Sequence, residues 1–195
     1  MGRRKGGLSF YHKERKVNKK LIKEIGQWIF WGAVMVLVAF VAVFCFGIRT
    51  SVIGMSMEPT LYNSQEILID RFSYFIVGPQ RGDVVVFLPN GNENSHYYVK
   101  RVIGIPGDTI SIQDGQVMID GLPYEEEGIY DKMESGGIAE TAITLGEDEY
   151  FVLGDNRNSS EDSRSSNVGI VMRDYIIGRA WFHLSAEDVR PGFIK

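Results

Sequence analysis

Apolar residues follow two distinct patterns along this chain, of which the first is an unbroken run. Residues 28–48 form about 21 consecutive positions without a charged side chain. A helix rises about 1.5 Å per residue, so this run can cross a hydrocarbon core of roughly 30 Å. It is longer than the roughly 7–15 apolar residues of a cleaved signal peptide, and no small-x-small cut site follows it. The pattern therefore predicts an uncleaved transmembrane anchor over 25–48.

Beyond the anchor, short apolar or alternating runs are separated by turn residues. The runs 109–112 and 116–119 are each followed by an Asp-Gly pair, which favours the left-handed turns of β-hairpins. No long segment with helical periodicity follows residue 50. The pattern predicts a mainly β fold: a single N-terminal transmembrane helix, then one antiparallel β domain over 49–195 with a hairpin extension over 109–149. Further strands are predicted at 66–70, 83–87, 96–104, 149–153 and 175–183.

Charge is distributed unevenly on the two sides of the anchor. Residues 1–24 carry nine basic and two acidic side chains, whereas 25–195 carry 12 basic and 23 acidic ones. Because the basic block leads directly into the apolar run, it favours a lipid bilayer rather than nucleic acid as partner. The positive-inside rule then predicts a single-pass protein of the cell membrane, with a cytoplasmic tail at 1–24 and an extracytoplasmic domain.

Few residue combinations outside the anchor can support catalysis. The single cysteine, Cys45, lies in the apolar run and is expected to act as a small apolar residue. His96 and His183 fall in strand-like runs without a recognisable catalytic context. No HExxH or CxxC spacing, phosphate loop or dinucleotide fingerprint occurs, so neither a cofactor nor a metal is expected. The acids of 155–162 are interleaved with arginines, which favours ion pairs over a cation site.

Serine and lysine remain, and Lys100 stands out because its neighbours at 99–103 are largely apolar. Burial disfavours the charged ammonium and can lower its pKa by up to roughly 3–5 units. Holding the amine neutral near pH 7.5, from an ordinary pKa of about 10.4, costs about 4 kcal/mol. A dry pocket is therefore sufficient for Lys100 to act as a base. The residues alone nevertheless favour the plainer alternative, a strand lysine whose amine reaches solvent.

Four stretches in order resemble the motifs of bacterial type I signal peptidases, in particular the Gram-positive-like members. These are membrane-bound serine proteases that remove signal peptides from exported proteins. The stretches are 54–61 (GMSMEPTL), 81–87 (RGDVVVF), 98–108 (YVKRVIGIPGD) and 154–164 (GDNRNSSEDSR). The resemblance spans nearly the whole chain from residue 28 onwards. It implies an endopeptidase with a Ser-Lys dyad that cuts signal peptides after Ala-x-Ala-like sequences.

The resemblance also implies roles for individual residues. Ser56 matches the nucleophile, Lys100 the general base, and Ser160 a hydroxyl that orients the lysine. The Ser56 N–H matches an oxyanion donor, and a second donor is expected near Gly54, where some members carry a hydroxyl residue. The remaining matches are ion-pairing residues that brace the last motif (Asp155, Asp162, Arg164, and Arg101 with Asp155) and residues that line shallow substrate pockets (Met57, Tyr98, Val99).

Several alternatives stay open at this point. An inactive membrane-tethered β domain that binds peptides or scaffolds an export complex needs neither Ser56 nor Lys100. A dyad enzyme could also act on other substrates, as self-cleaving repressors or a pilin processor do, although the anchor argues against a repressor. Tyr98 and Val99 either line pockets or pack in the core. The aromatic segment 72–77 either enters the outer leaflet or packs within the domain, and the acidic stretch 124–149 is expected to be solvated.

Overall fold

The structure is a computed structural model that describes Gly2, residues 19–126, Gly128, and residues 130–186 and 189–194. The chain divides into two compact units, 1–41 and 42–195. Most of the predicted basic tail lies outside the described residues. The helices and strands, in chain order, are α1 (Lys19–Phe46), β1 (Ile48–Ser51), β2 (Glu66–Asp70), α2 (Ser73–Ile76), β3 (Val84–Phe87), β4 (Tyr98–Gly104), β5 (Thr109–Gln113), β6 (Gln116–Ile119), β7 (Leu122–Pro123), β8 (Ile143–Thr144), β9 (Glu149–Leu153), β10 (Val171–Met172), β11 (Ile176–His183) and β12 (Gly192–Phe193).

Helix α1 begins ahead of the apolar run and contains all but its last two residues. Its segment Lys19–Phe44 is long and apolar enough to cross a membrane, and no other helix in the described part of the chain meets that criterion. Most of its large apolar side chains are exposed rather than packed in a protein core. The helix ends at Phe46, two residues before the predicted end of the anchor, because Ile48 already pairs with Ile69 of β2.

Strands β1–β4 and β9–β12 form an eight-stranded antiparallel sheet. Its order is β1-β2-β11-β3-β4-β9-β10, and β12 pairs with β11. The register shifts in the pairs that β11 makes with β2 and β3, and again between β4 and β9, and such bulges bend a sheet. The predicted mainly β fold with an N-terminal apolar helix is therefore confirmed, and the long predicted strands fall within two residues of the observed ones.

The predicted hairpin extension forms a second sheet of four strands in the order β7-β6-β5-β8. Both of its tight turns have the expected backbone, since φ is 52° at Asp114 and 75° at Gly115, and 52° at Asp120 and 80° at Gly121. Positive φ at both central residues suits the right-handed twist of the flanking strands. The Asp-Gly pairs in the sequence thus specify the extension locally.

Both faces of the main sheet are buried near its centre, which explains the continuous apolar sequence of β3. Successive side chains of a strand point to opposite faces. Val84 and Val86 pack in a cluster with Met57, whereas Val85 and Phe87 pack in a second cluster on the other face. A third cluster joins the extension to β9. Lys100, in the adjacent strand β4, is buried as well and only 4% exposed.

The aromatic segment 72–77 is largely exposed on the surface of the domain. Within it Tyr74 is buried and donates its hydroxyl to Asp83 Oδ2 at 3.0 Å. Phe75 is 86% exposed and Ile76 70%. The packing alternative therefore describes Tyr74, whereas entry of the exposed neighbours into the outer leaflet stays a prediction.

Candidate active site

Ser56 lies in the connection between β1 and β2, where buried neighbours and backbone hydrogen bonds fix the chain. Met57 and Leu61 are fully buried, and the Leu61 N–H donates to the Met57 carbonyl at 2.8 Å. On the other side, the Asn156 N–H donates to the Ser56 carbonyl at 3.0 Å. The serine is thus held between the core and the loop 154–164.

Lys100 reaches Ser56 from the middle of β4, and its Nζ donates to Ser56 Oγ at 2.7 Å. The strand fixes its backbone because Lys100 pairs with Val85 of β3. Burial lowers the pKa of Lys100 from 10.5 to about 8, although the negative charges of Asp162, Glu161 and Asp155 act in the opposite direction. A shift of this size corresponds to about 3 kcal/mol against the charged amine.

Two ion pairs fix the loop 154–164 beside this pair. Arg101 Nε donates to Asp155 Oδ1 at 2.8 Å and its Nη2 to Oδ2 at 2.6 Å, in a bidentate arrangement with the Asp155 side chain fully buried. Arg164 Nε donates to Asp162 Oδ1 at 2.9 Å, and the same carboxylate accepts the Gly154 N–H at 3.1 Å. The structure therefore brings together all four residues predicted to brace this motif.

Ser160 lies next to the dyad but does not bond to it. Its Oγ is buried and has no hydrogen-bond partner among the described residues. A Cβ on Gly154 would clash with both Ser160 Oγ and the Ser56 carbonyl, so these two serines approach each other across a bare glycine. The predicted hydrogen bond that orients Lys100 is absent from this arrangement, although the hydroxyl is free to make one.

Gly54 precedes Ser56 by two residues and has a left-handed backbone, with φ of 87°. Its N–H donates to Asn63 Oδ1 at 2.9 Å. That amide is therefore engaged within the connection between β1 and β2. The backbone of Gly54 does not offer a free second donor for an oxyanion in this arrangement.

A groove of about 310 Å³ runs along the dyad. Its walls are residues 52–56 on one side and 96–100 on the other, and Ser159 and Glu161 complete it. Tyr98 and Val99 both line the groove. Val99 is only 5% exposed, however, and also packs in a core cluster. Met57 is fully buried in the core and does not line the groove, so its position gives no support to a role in a substrate pocket.

Three residues that contact the site were missed by the sequence reasoning. Asn156 holds the Ser56 backbone, and its Nδ2 also donates to the Met55 carbonyl at 3.2 Å. Glu161 places a carboxylate on the groove and accepts the Tyr98 hydroxyl at 3.3 Å. Arg157, seen in the sequence as one of several interleaved charges, is buried against Glu126. The only sequence signal for a role of Asn156 and Glu161 at the site is that both lie in the motif 154–164.

No group of three or more His, Cys, Asp or Glu side chains in the described ranges could hold a metal ion. One arrangement of side chains at the groove can activate a nucleophile. It consists of a serine hydroxyl in contact with an amine of lowered pKa, which is the arrangement that a base-activated serine nucleophile requires.

Comparison with known proteins places this chain in a family. The sequence pattern of signal peptidase, peptidase S26, matches residues 23–185. Signal peptidase I P of Bacillus subtilis subsp. natto is 36% identical over 132 residues, which cover 64% of this chain and 70% of that protein. A probable signal peptidase I-2 of Synechocystis is 36% identical over 166 residues, 79% of this chain and 72% of that protein.

One solved structure is also similar to this chain. It is a signal peptidase I from Enterococcus faecalis, with 31% sequence identity and a TM-score of 0.42, over 52% of this chain and 95% of that one. The family assignment depends instead on the extent of the sequence matches, since the family pattern covers most of the chain and both relatives are aligned over more than two thirds of their length. This chain belongs to the signal peptidase family, peptidase S26.

Proposed function

We propose that this protein is a membrane-anchored endopeptidase that removes signal peptides from exported preproteins, with Ser56 as nucleophile and Lys100 as general base. Its family consists of serine endopeptidases that remove signal peptides. The observation that carries the assignment of residues is the 2.7 Å contact between Lys100 Nζ and Ser56 Oγ. A scaffold that only binds peptides has no need of a buried lysine against a serine hydroxyl, because burying an amine is costly.

The proposed reaction is two successive acyl transfers. Neutral Lys100 takes the hydroxyl proton of Ser56 as Oγ attacks the scissile carbonyl, and the resulting ammonium returns that proton to the leaving amine. Water then attacks the acyl-enzyme; Lys100 removes its proton and returns it to Oγ. Each half of the cycle leaves the amine neutral, so no external acid or base is consumed.

The neighbouring residues support the dyad in this mechanism. No acceptor for the Ser56 N–H is found among the described residues, and we assign it as the donor to the oxyanion. The Gly54 N–H is bonded to Asn63 Oδ1, so we assign it no such role. Ser160 offers Lys100 a hydroxyl that is otherwise unpaired within the described chain. The Arg101–Asp155 and Asp162–Arg164 pairs hold the loop that carries Ser160.

The substrate is proposed to bind as an added strand at the edge of β4. Strand β9 pairs with β4 only from Arg101 onwards, whereas β3 pairs with residues 98–101, so one edge of Tyr98–Lys100 is open towards the groove. Main-chain hydrogen bonds to such an edge give affinity, and alternate side chains enter pockets. We propose that the small residues of an Ala-x-Ala sequence enter the groove beside Tyr98 and Val99, which line it.

Helix α1 is proposed as the anchor, with the catalytic domain on the extracytoplasmic side. Lys19, Lys20 and Lys23 lie at its N-terminal end, ahead of the uncharged run, and a positive flank is retained in the cytoplasm. A reporter enzyme fused after residue 195 should then be active only if it is of the type that works outside the cytoplasm. A fusion active only in the cytoplasm would overturn this orientation.

Incubation of the full-length protein in detergent micelles with a preprotein tests the function. Mass spectrometry of the products should show one cut directly after an Ala-x-Ala sequence, and Ser56→Ala should produce none. A matched preprotein with bulky residues in place of both alanines should stay intact. Cleavage that is retained by the Ser56→Ala variant would exclude Ser56 as the nucleophile. If the unmodified protein does not cleave the preprotein either, the peptide-binding or scaffold domain is the better hypothesis.

Cleavage should depend on pH because the base must be neutral. Burial lowers the pKa of Lys100 to about 8, so kcat/KM is expected to rise tenfold per pH unit below about 8 and to level above it. At pH 6 the neutral fraction is about 1%, which predicts roughly a hundredfold loss relative to the plateau. A profile measured between pH 5.5 and 10 that stays flat from 6 to 9 would contradict a titrating lysine base.

A further inference from the structure

The guanidinium of Arg157 is buried between the loop 154–164 and the extension. Its side chain is 2% exposed, and its Nη1 donates to Glu126 Oε1 at 2.6 Å while Nη2 donates to Oε2. The guanidinium carbon lies 4.1 Å from the centre of the Tyr130 ring. A bidentate carboxylate and an aromatic face together hold the charge in one orientation. Glu126, Tyr130 and Arg157 are called the clasp below.

Further hydrogen bonds join the loop 154–164 to the extension. Asn158 Nδ2 donates to the Lys132 carbonyl at 3.0 Å, and its Oδ1 accepts the Glu134 N–H at 3.0 Å. The Ile138 N–H donates to the Arg164 carbonyl at 3.0 Å. The described residues of 126–138 are therefore not merely a solvated excursion, since several of them contact the loop that carries Ser160.

The clasp connects directly to the backbone that holds the nucleophile. Arg157 Nε donates to the Gly154 carbonyl at 3.1 Å, and Gly154 faces Ser160 Oγ and the Ser56 carbonyl across the space where a Cβ would stand. The intervening Asn156 N–H bonds to that same Ser56 carbonyl. A shift of the guanidinium would thus move the backbone at 154–156, and with it both serines relative to Lys100.

We propose that Glu126 is a positioning residue: through Arg157 it fixes the loop 154–157 and so sets the place of Ser56 and Ser160 against Lys100. This inference rests on the proposed function of the dyad. The extension then serves catalysis as well as folding, because it supplies the only carboxylate that the described residues pair with the Arg157 side chain. A misplacement of about 1 Å in a catalytic group can lower a rate by about a hundredfold.

The test compares Glu126→Gln with a matched control in the full-length protein. Glutamine keeps the size of the side chain but removes the charge, so Arg157 is left buried without its counterion. The control is Asp108→Asn, which breaks the Arg81–Asp108 pair (3.0 Å) at the base of the extension without touching the loop 154–164. Both variants are assayed well below their unfolding temperatures, where each is folded by circular dichroism.

Glu126→Gln is expected to lower kcat by about 10- to 100-fold with KM changed less than about threefold, since the groove walls at 52–55 and 96–99 are untouched. The rate at which a serine-directed acylating probe labels Ser56 should fall in parallel. Asp108→Asn should keep kcat within about twofold. Arg157→Met should lower kcat at least as much as Glu126→Gln, because it also removes the hydrogen bond to the Gly154 carbonyl. The double variant should lose no more than Arg157→Met, because Glu126 acts only through Arg157.

Equal kcat for Glu126→Gln and Asp108→Asn, or a loss carried entirely by KM, would overturn the positioning role while the proposed function stands. If the unmodified protein neither cleaves the preprotein nor reacts with the probe, the proposed function itself fails, and the positioning role that rests on it fails with it. The two failures are thus told apart by the unmodified protein alone.

Discussion

Replacing Lys100 by methionine is expected to lower kcat/KM for preprotein cleavage by about 10⁴-fold or more and, at pH 7, to stabilise the folded protein. The loss of activity follows because methionine has a similar length but cannot accept the Ser56 proton, and removal of a base from a nucleophile pair costs about this factor. The gain in stability follows from burial, since the amine is 4% exposed and its pKa is lowered to about 8. Activity should thus fall while stability rises, whereas replacing a lysine that only supports the fold would lower both.

The pH dependence of that stability has a defined direction. The folded-state pKa of about 8 lies below the unfolded value of 10.5, so between these pH values the unfolded chain binds more protons and stability rises with pH. Below about pH 8 the full unfavourable contribution, about 3 kcal/mol, is present. Lys100→Met should therefore be more stable by about 1–3 kcal/mol at pH 7, after allowance for lost contacts. The part of this difference that comes from protonation should shrink above pH 8 and nearly vanish around 10.5, which leaves only the effect of the lost contacts.

Urea denaturation of the full-length protein in detergent, at pH 7 and at pH 10, measures this difference, and preprotein cleavage measures the activity. Ser56→Ala is the matched control because it should abolish cleavage equally without the pH-dependent gain in stability. A Lys100→Met protein that still cleaves, or one that is less stable than the unmodified protein at pH 7, would contradict the assignment of a buried, weakly basic lysine.

The sequence predicts most of the β elements because their signals are local. The Asp-Gly turns at 114–115 and 120–121 enforce a backbone geometry by themselves, and both were found with positive φ. Strand β1 was missed because it begins at Ile48, the last residue of the apolar run, where nothing in the hydropathy pattern separates the end of a helix from the start of a strand. Its pairing with β2 ends the helix, and that is a tertiary contact.

The candidate site is non-local, and hydropathy alone does not reveal it. Ser56 and Lys100 are 44 positions apart, and the order of four motifs, rather than the properties of either residue, indicated the pair. The Glu126–Arg157 contact was unforeseen because Glu126 stands in an acidic stretch that resembles a solvated segment. Met57 shows the converse case: a motif assigned it to a pocket, whereas its apolar side chain packs in the core.

Replacing Asp155 by asparagine is expected to destabilise the folded domain by about 3–5 kcal/mol. Both of its carboxylate oxygens accept from Arg101, at 2.8 and 2.6 Å, and the side chain is fully buried. Removal of the Asp155 charge deprives the buried Arg101 guanidinium of this bidentate carboxylate, which is the costly way to break a buried pair. The loop 154–164 should loosen as well, so cleavage should fall together with stability.

Urea denaturation of the full-length protein in detergent, followed by the β-sheet signal in circular dichroism, measures the change. Arg179→Met is the matched control: it breaks the Arg179–Asp83 pair at 3.1 Å, but the Arg179 side chain is 43% exposed, so the expected loss is below about 1 kcal/mol. The double variant Arg101→Met, Asp155→Leu should regain much of the lost stability, because an apolar pair leaves no buried charge. Its cleavage activity should stay below that of the unmodified protein, because the ion pair that orients the loop 154–164 is missing. An Asp155→Asn protein as stable as the Arg179→Met protein would show that Arg101 finds another counterion, and the brace would then have to be assigned to the Asp162–Arg164 pair alone.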